Sequence, residues 1–413
     1  MRVLLLTLLS TWSLQATAPN YVLIFCADLG YGDLGCYGSK KNRTPRIDAM
    51  AKEGMRFTSF YSSSPVCTPS RASLLTGCYA RRVSMHEDFT GHWVLIPRSR
   101  RGMHADELTL PEMLKAKGYA TACIGKWHLG DQPAHLPTAH GFGEYYGIPY
   151  SNDMASRRRG DPPLPLVKQT KVIEAPANQS TLTQRYTREA VSFIERNKAK
   201  PFFLYLPHTF PHLPLFASKD FHGKSANGRY GDSVEEIDWS TGKILDVLKQ
   251  HGLEKNTLVI FTSDNGAEIK AKTATGPFRS NKGSVYEGGH RVPFIVAWPE
   301  GKVGDGNAKT PGKTSAELLG LQDLYATFSK ILEVPLPDLK AGKKGAEDSF
   351  NVLPAWRGEK LVRRPMIFND HKEGKDGAAA ALRLDNPRIG RKTIDGQWKM
   401  FFDASLLRAG KAK

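Results

Sequence analysis

Short apolar runs alternate with amphipathic helical patterns along most of the chain. Residues 21–25 form a continuous apolar run rich in aromatic and β-branched side chains, which predicts a strand buried on both faces. Three units of a helical pattern followed by a strand come next, with strands expected at 119–124, 202–206 and 258–261. A further buried strand is expected at 293–298. This order predicts an α/β protein with a mostly parallel central sheet and right-handed crossovers.

Polar side chains of distinct chemistry stand just after four of these strands. In chain order they are Asp28, Lys126, His128, His208, Asp264 and Asn265. Because ligand sites in open α/β sheets gather at the carboxyl ends of the strands, we expect these side chains to lie close together. They combine oxygen ligands, cations and proton carriers, which is a coherent set for a single site.

The segment at residues 65–77 joins a helix start to a candidate reactive side chain. Pro69 suits the first turn of a helix, and Gly77 suits its end. Cys67 would stand at the helix N-terminus with Arg71 one turn further on the same face, so we expect the thiolate form to be favoured. That arrangement suits an anionic ligand held at a reactive side chain. The alternative is a buried cysteine that packs as a small hydrophobic residue.

Composition is that of an ordinary globular protein of 413 residues, long enough for one large domain and a smaller one. The formal net charge of +17, with basic clusters at 98–101, 157–159 and 340–344, would attract polyanions. Most of these charges are expected on solvated surface, and no nucleic-acid-binding motif accompanies them. The five cysteines contain no Cys-x-x-Cys pair, so their spacing indicates neither a disulfide framework nor a zinc site.

The first 18 residues have the pattern of a signal peptide. Arg2 is followed by an apolar run at 3–9 and by Ala16-Thr17-Ala18, which is an A-x-A exit. The run is too short to span a bilayer, and no later segment is long and apolar enough to do so. We therefore expect an exported protein, periplasmic or extracellular, without a stable membrane anchor.

The composition shifts beyond about residue 335 toward proline, lysine and glycine, which indicates a linker or exposed loop. A short strand is expected at 365–368, and Asp395-Gly396 ahead of an apolar run at 398–402 is typical of a hairpin. The predicted organisation is thus a signal peptide at 1–18, a large domain at 19–335 and a short C-terminal subdomain at 336–413.

The helix-start segment also carries a longer motif, which resembles the signature of the type I sulfatases. It reads Cys67-Thr68-Pro69-Ser70-Arg71-Ala72-Ser73-Leu74-Leu75-Thr76-Gly77. The resemblance extends from residue 19 to about residue 299 in the family's order and spacing, and it is to the arylsulfatase A-like branch. It implies the alkaline-phosphatase-like α/β/α sandwich, with a smaller C-terminal α+β subdomain that is shortened here.

The resemblance implies roles for the side chains around the sulfate. In this family a separate maturing enzyme, either formylglycine-generating or anaerobic, oxidises the cysteine at the position of Cys67 to the nucleophile formylglycine. Arg71 would steady the formylglycine hydrate. Lys126, His128 and Lys282 would contact the sulfate, and His128 would also orient the nucleophile. One hydroxyl of the hydrate would attack sulfur, and the other would allow sulfate to be expelled.

The same resemblance implies a proton donor, a further sulfate contact and a metal site. His208 would protonate the leaving oxygen. Ser151 matches a sulfate-contacting serine of the arylsulfatase A branch. Asp28, Asp264 and Asn265 would bind one Ca²⁺ ion, which is consistent with a preference for hard oxygen ligands.

Two departures from the family pattern keep alternatives open. Ala27 stands where the family normally has the first of two adjacent aspartates, so one charged metal ligand is missing. The chain also ends a few residues after a strand that family members usually continue past. The leading hypothesis is an exported hydrolase of aryl or carbohydrate sulfate monoesters. The alternatives are a weak or inactive homologue that binds sulfated glycans, and a related phosphoryl-transfer enzyme, which would typically carry a Ser or Thr nucleophile.

Overall fold

The computed structural model describes residues 18–155, 160–268, 275–363 and 365–369, together with three strands at 379–384, 391–392 and 398–403. Residues 1–17, which make up nearly all of the expected signal peptide, lie outside the described residues. The basic cluster at 157–159 and the expected turn at Asp395-Gly396 also lie outside them.

The strands fall at the positions that the apolar runs predict, with additional short strands at the sheet edges. They are β1 (Asn20–Cys26), β2 (Met55–Phe57), β3 (Phe60–Tyr61), β4 (Ala120–Ile124), β5 (Glu144–Gly147), β6 (Leu166–Lys168), β7 (Lys171–Glu174), β8 (Phe202–Pro207), β9 (Thr257–Ser263), β10 (Phe294–Ala297), β11 (Lys313–Ser315), β12 (Leu319–Gly320), β13 (Met366–Asn369), β14 (Ala379–Leu384), β15 (Arg391–Lys392) and β16 (Trp398–Asp403).

Helices separate most of the strands of the central sheet, as the alternating pattern predicts. They are α1 (Pro45–Glu53), α2 (Cys67–Thr76), α3 (Leu110–Ala116), α4 (Leu182–Asn197), α5 (Gly228–Gln250), α6 (Glu287–His290), α7 (Asp323–Ile331) and α8 (Leu353–Trp356). None of the helices in the described ranges is long and apolar enough to cross a membrane.

A ten-stranded sheet forms the centre of the described molecule, in the order β11-β2-β10-β9-β1-β8-β4-β5-β6-β7. The middle strands β9, β1, β8, β4 and β5 are parallel neighbours, as predicted. Toward the edges the pairing becomes antiparallel, at β9–β10, β10–β2, β5–β6 and β6–β7. The buried strand expected at 293–298 is therefore confirmed as β10. It pairs with β9 in the antiparallel direction.

Two hydrophobic cores cover the two faces of this sheet. Along β1, Tyr21, Leu23 and Phe25 belong to the core that includes residues of α2, α3 and α7. The intervening residues Val22 and Ile24 belong to the core that includes residues of α1, α4 and α5. Successive side chains of a strand point to opposite faces, so a strand covered on both sides must be apolar at every position. This confirms the predicted α/β/α sandwich.

The C-terminal strands form a separate four-stranded antiparallel sheet in the order β13-β14-β16-β15. The strand expected at 365–368 corresponds to β13, and the last expected strand corresponds to β16. β16 pairs with both β14 and β15, so this strand has partners on both sides. α8 contacts α7, and its Trp356 is buried in the core shared with α2. The domain boundary at residue 335 stays a prediction.

The ends of β4 and β5 approach each other through two glycines. A Cβ atom at Gly147 would stand 1.7 Å from the carbonyl oxygen of Gly125. The amide of Gly125 donates to the carbonyl of Tyr146 at 2.8 Å, so this backbone contact is itself part of the strand pairing. The segments that follow the two strands are therefore held side by side by a contact that only glycine permits.

We predict that Gly147→Ala lowers the free energy of unfolding by about 1–3 kcal/mol, because the added methyl group overlaps backbone that cannot retreat without breaking the β4–β5 pairing. The matched control is Gly143→Ala just ahead of β5, where the added Cβ would meet Thr121 at an ordinary 3.4 Å. Urea unfolding of both variants measures the difference. Equal stability of the two variants would show that the close approach at Gly147 does not constrain the fold.

Candidate active site

Helix α2 begins at Cys67, and its ten residues are all buried. Val66 ahead of it is extended, with φ −144° and ψ 160°, and Gly77 ends the helix with φ 71° in the left-handed region. The glycine can take this conformation at little steric cost, which explains the sharp stop. The predicted placement of Cys67 at a helix N-terminus is therefore confirmed.

Arg71 links this helix to the ends of two sheet strands. Its NH2 group donates to the Asp264 carboxylate at 2.8 Å, and its NH1 group donates to the Lys126 carbonyl at 2.8 Å. Both partners of the Arg71–Asp264 ion pair have fully buried side chains. Since Asp264 follows β9 and Lys126 follows β4, one guanidinium fixes the position of Cys67 relative to both strand ends.

The three expected metal ligands come together beside this ion pair. The Asn265 amide donates to Asp28 Oδ1 at 2.8 Å, and the Asp28 backbone N–H donates to Asp264 Oδ1 at 3.0 Å. Asp28 has φ 65°, an unusual conformation for a residue that is not glycine. Within the described part of the chain, Asn265 Oδ1 is buried without a hydrogen-bond partner. Two carboxylates and an orphaned amide oxygen fit a hard divalent cation.

The missing ligand at Ala27 is equally clear in the structure. Ala27 is fully buried, and its backbone N–H donates to the Phe210 carbonyl at 3.3 Å. Its methyl group offers no oxygen. Lys282 Nζ instead lies 2.7 Å from Asp28 Oδ2, so a lysine balances part of the charge of the acidic group.

A second set of side chains lies around the Cys67 thiol. Lys126 Nζ lies 3.6 Å from Cys67 Sγ and 3.1 Å from Ser151 Oγ. Ser151 Oγ is 3.4 Å from Nε2 of His212, which lies 3.6 Å from the Asp28 carboxylate. The structure thus connects the expected sulfate-contacting residues Lys126 and Ser151 to the expected metal ligand Asp28.

His128 also faces this region. It has φ 63°, its Nε2 lies 3.0 Å from the Leu95 carbonyl, and its Nδ1 has no hydrogen-bond partner among the described residues. The Thr68 hydroxyl donates to the His128 carbonyl at 3.0 Å, which ties the first turn of α2 to the segment after β4.

A cavity of about 520 Å³ opens onto the Cys67 thiol. Its walls include the expected site residues Cys67, His128, Ser151 and Lys282. Surface loops add further polar and aromatic residues, namely His92, Trp93, Asp153, Asp161 and Glu268.

His208 is not among the residues that line this cavity, and no side-chain hydrogen bond or ion pair among the residues that the structure describes joins it to the other candidates. It is fully buried, and neither of its ring nitrogens has a hydrogen-bond partner within the described ranges. Burial alone lowers its pKa to about 3, so no charged group of the site contributes. The structure therefore does not place His208 in the wall of the cavity, where a proton donor is expected.

His212, four residues further along, lines the cavity in place of His208. Sequence reasoning missed it because both histidines follow the same strand, and the pattern gives no direction for either ring. The only available signal was that His212 lies between Pro211 and Leu213-Pro214, in a segment too proline-rich to continue a regular element.

The expected stabilisation of the Cys67 thiolate is wrong for the unmodified side chain. Burial, and then the Asp264 carboxylate, raise the pKa of Cys67 to about 11, although Lys126 and Lys282 act in the opposite direction. The helix N-terminus and the neighbouring cations were visible in the sequence. The complete burial and the nearby carboxylates depend on the tertiary structure, and they outweigh the cations.

The other titratable groups of the cavity have shifted pKa values as well. Burial opposes the charged form of Lys282, but Asp28, Cys67 and Asp264 together outweigh it, and the pKa of this lysine is raised. The pKa of His212 lies well below its ordinary value because of burial and the repulsion of Lys282 and Lys126. The pKa of His128 is lowered for the same kinds of reason, with Lys126 and Arg71 as the repelling cations. Both histidines are therefore neutral at neutral pH.

Comparisons with known proteins agree with this geometry. The sequence profile of the family described as Sulfatase matches residues 19–334. Rat N-acetylgalactosamine-6-sulfatase is 38% identical over 391 residues, which cover 88% of this chain and 71% of the rat protein. Human arylsulfatase A is 38% identical over 376 residues, covering 86% of this chain and 70% of the human protein.

A solved structure agrees as well. The crystal structure of Ps i-CgsB in complex with k-i-k-neocarrahexaose has a TM-score of 0.75 and 30% identity, and the match covers 96% of this chain and 88% of that one. Members of the matched family are sulfuric-ester hydrolases that generally use formylglycine and a metal ion. The chain belongs to the sulfatase family.

Proposed function

We propose that this protein hydrolyses sulfate monoesters of carbohydrates through a formylglycine made from Cys67. The observation that carries the proposal is the position of Cys67, at the start of α2 and in the wall of a cavity, with Lys126 Nζ 3.6 Å from its sulfur. The names of relatives support a sugar substrate, since one is an N-acetylgalactosamine-6-sulfatase and another was crystallised with a carrahexaose. Trp93 lies in the same wall.

Lys126, Lys282 and Ser151 are proposed to hold the sulfate. A sulfate monoester carries one negative charge, and buried cations at fixed positions stabilise the charge that develops on its oxygens in the transition state. When Cys67 is oxidised, its aldehyde hydrate supplies one hydroxyl to attack sulfur and a second that allows sulfate to be released. Arg71 is already committed to Asp264 and to the Lys126 carbonyl, so its proposed role is to position residue 67.

His212 is proposed to protonate the leaving oxygen. It lines the cavity, lies 3.4 Å from Ser151 and is held near Asp28. The lowered pKa of His212 results partly from Lys282 and Lys126. A bound sulfate places negative charge beside these lysines, offsets their repulsion and raises the population of protonated His212. His208 does not line the cavity.

Asp28, Asp264 and Asn265 are proposed to hold calcium. Their donor atoms are hard oxygens, and the orphaned Asn265 Oδ1 can serve as a ligand without losing a hydrogen bond. A divalent ion there supplies positive charge to sulfate oxygens. Because Ala27 leaves the set one carboxylate short, the affinity for calcium is expected to be weaker than that of a site with both aspartates.

Export and maturation complete the proposal. The N-terminal apolar run followed by Ala16-Thr17-Ala18 supports export to the periplasm or the extracellular space. The Cys67 motif supports recognition by a separate formylglycine-generating or anaerobic maturing enzyme.

We predict that Cys67→Ala lowers kcat/KM for a sulfated sugar, or for a chromogenic aryl sulfate, by at least about 10³-fold, because the nucleophile is removed. The protein should be co-expressed with a maturing enzyme, and conversion should be checked by mass spectrometry of the peptide containing residue 67. Cys36→Ser is the matched control, since Cys36 is half-buried and lies outside the cavity wall. Equal rates for Cys67→Ala and the converted wild type would overturn the proposed function.

We predict that His212→Asn lowers kcat by about 10²–10⁴-fold for a sugar sulfate, because a poor leaving group needs a proton donor. The loss should be smaller for an aryl sulfate whose phenolate leaves without protonation. His208→Asn should keep kcat within about tenfold of the wild type, because the residue does not reach the cavity. A larger loss from His208→Asn than from His212→Asn would return the acid role to His208.

We predict that Ala27→Asp tightens calcium binding by at least about tenfold, which corresponds to about 1.4 kcal/mol. Calorimetric titration of calcium into protein stripped with a chelator measures the dissociation constant. Ala27→Asn is the matched control, since it adds an oxygen without a charge and should have an intermediate effect. Unchanged affinity in both variants would mean that calcium is not bound next to residue 27.

A further inference from the structure

A second group of ligating side chains lies at the other end of α2. Cys78 follows the helix by two residues, Glu107 precedes α3, and Glu347 lies between α7 and α8. The Cys78 sulfur and one carboxylate oxygen from each glutamate lie within 4.8 Å of one another. We refer to these three residues as the Cys78 cluster. With ten residues at 1.5 Å rise each, α2 separates it from Cys67 by about 15 Å.

Glu107 is the member of the cluster that has a buried carboxylate oxygen without a hydrogen-bond partner among the described residues. It is 6% exposed, and no hydrogen bond to its Oε2 exists in the part of the chain that the structure describes. Burial, and then the neighbouring Glu347, raise the pKa of Glu107. A buried carboxylate that faces a second carboxylate and has an orphaned oxygen is unfavourable unless a cation compensates.

The three segments are held together by backbone contacts that do not involve the cluster. The amide of Ala346 donates to the Thr76 carbonyl at 2.7 Å, and the amide of Asp348 donates to the Gly77 carbonyl at 3.1 Å. The amide of Leu108 donates to the Lys344 carbonyl at 3.0 Å. Cys78, Glu107 and Glu347 are therefore brought to one place by the fold itself, as a built site requires.

The immediate surroundings leave the cluster negative when its acids are ionised. Lys344 Nζ lies 3.6 Å from Asp106, and Arg82 lies 2.8 Å from Asp348. Lys344 and His104 act to lower the pKa of Glu107, but they do not offset burial and Glu347. Inside it, Cys78 Sγ lies 2.6 Å from Glu347 Oε2, and the amide of Gly345 donates to the same oxygen at 3.1 Å.

We propose that Cys78, Glu107 and Glu347 bind a divalent cation of the zinc class. One thiolate with two carboxylates suits a borderline-soft ion, whereas calcium would not favour the sulfur. Tetrahedral coordination with metal–ligand distances of about 2.0–2.3 Å places ligand atoms about 3.5 Å apart. Cys78 Sγ and Glu347 Oε2, which are 2.6 Å apart, must therefore separate as the ion enters between them. Water, or the Thr76 carbonyl 3.5 Å from Cys78 Sγ, can provide the fourth ligand.

Binding releases the thiol proton, and any carboxyl proton, to solvent, and no oxidation or reduction accompanies it. The ion would join the end of α2 to the segments before α3 and before α8. It therefore acts as a structural ion for the helix that begins at Cys67, separate from the metal ion proposed beside Asp28.

Cobalt is the appropriate probe because a bound thiolate gives a charge-transfer absorption that oxygen ligands do not give. The full-length protein, stripped with a chelator, is titrated with Co²⁺ and then with Zn²⁺. We expect one thiolate–cobalt band per chain, which Zn²⁺ abolishes. Cys78→Ser should remove the band, and Glu107→Gln, which keeps the side-chain shape, should weaken Co²⁺ binding by at least about tenfold.

Cys67→Ser is the essential control, because Cys67 lies near Asp28 and His212 and could itself bind cobalt. The band should persist in this variant. Thermal unfolding gives a second measurement: Zn²⁺ should raise Tm in the wild type and in Cys67→Ser, and it should not do so in Cys78→Ser. Absence of a thiolate band in the wild type, its retention in Cys78→Ser, or a Tm shift that is unchanged in Glu107→Gln would overturn the proposal.

Discussion

The ion pair between Arg71 and Asp264 is the contact on which the architecture of the site depends. Both side chains are fully buried, and they lie 2.8 Å apart. Arg71 reaches from the second turn of α2 to the end of β9, and it also binds the carbonyl at the end of β4. A buried ion pair loses much solvation, so its net contribution to stability is small, whereas loss of either partner strands a charge. The main effect of the Arg71–Asp264 pair is to position Cys67 relative to the ends of β4 and β9.

The charges around this pair leave an excess of positive charge beside the cavity. Arg71, Lys126 and Lys282 provide three cations, and Asp28 and Asp264 provide two carboxylates. Burial makes each interaction stronger than it would be in water, so the positive excess acts on whatever occupies the cavity. Burial, and then the repulsion of Lys282 and Lys126, lower the pKa of His212. A sulfate bound as proposed beside the two lysines would therefore favour protonation of His212.

Much of the fold and part of the site could be predicted because they follow from local rules. Apolar runs place the strands, and parallel strands bring Asp28, Lys126 and Asp264 to one edge. The expectations that the structure does not match depend on burial and on side-chain direction. The pKa of Cys67 rises because Asp264 and complete burial outweigh its helix position and its neighbouring lysines. The ring of His212, and not that of His208, reaches the cavity, and no periodicity in that segment distinguishes the two.

Ala27 bears differently on the two ligands proposed for the site, a divalent ion and a sulfate. Its backbone N–H donates to the Phe210 carbonyl, and its side chain carries no charge. Without a carboxylate at residue 27, the oxygen ligands would attract a divalent ion less strongly. The positive charge of Lys282 beside Asp28 Oδ2 would weaken the attraction further. The same missing charge leaves the cavity more positive, which favours sulfate. Under the proposed function, weaker metal binding and retained anion binding are therefore compatible in one site, and metal affinity alone would be an incomplete guide to activity.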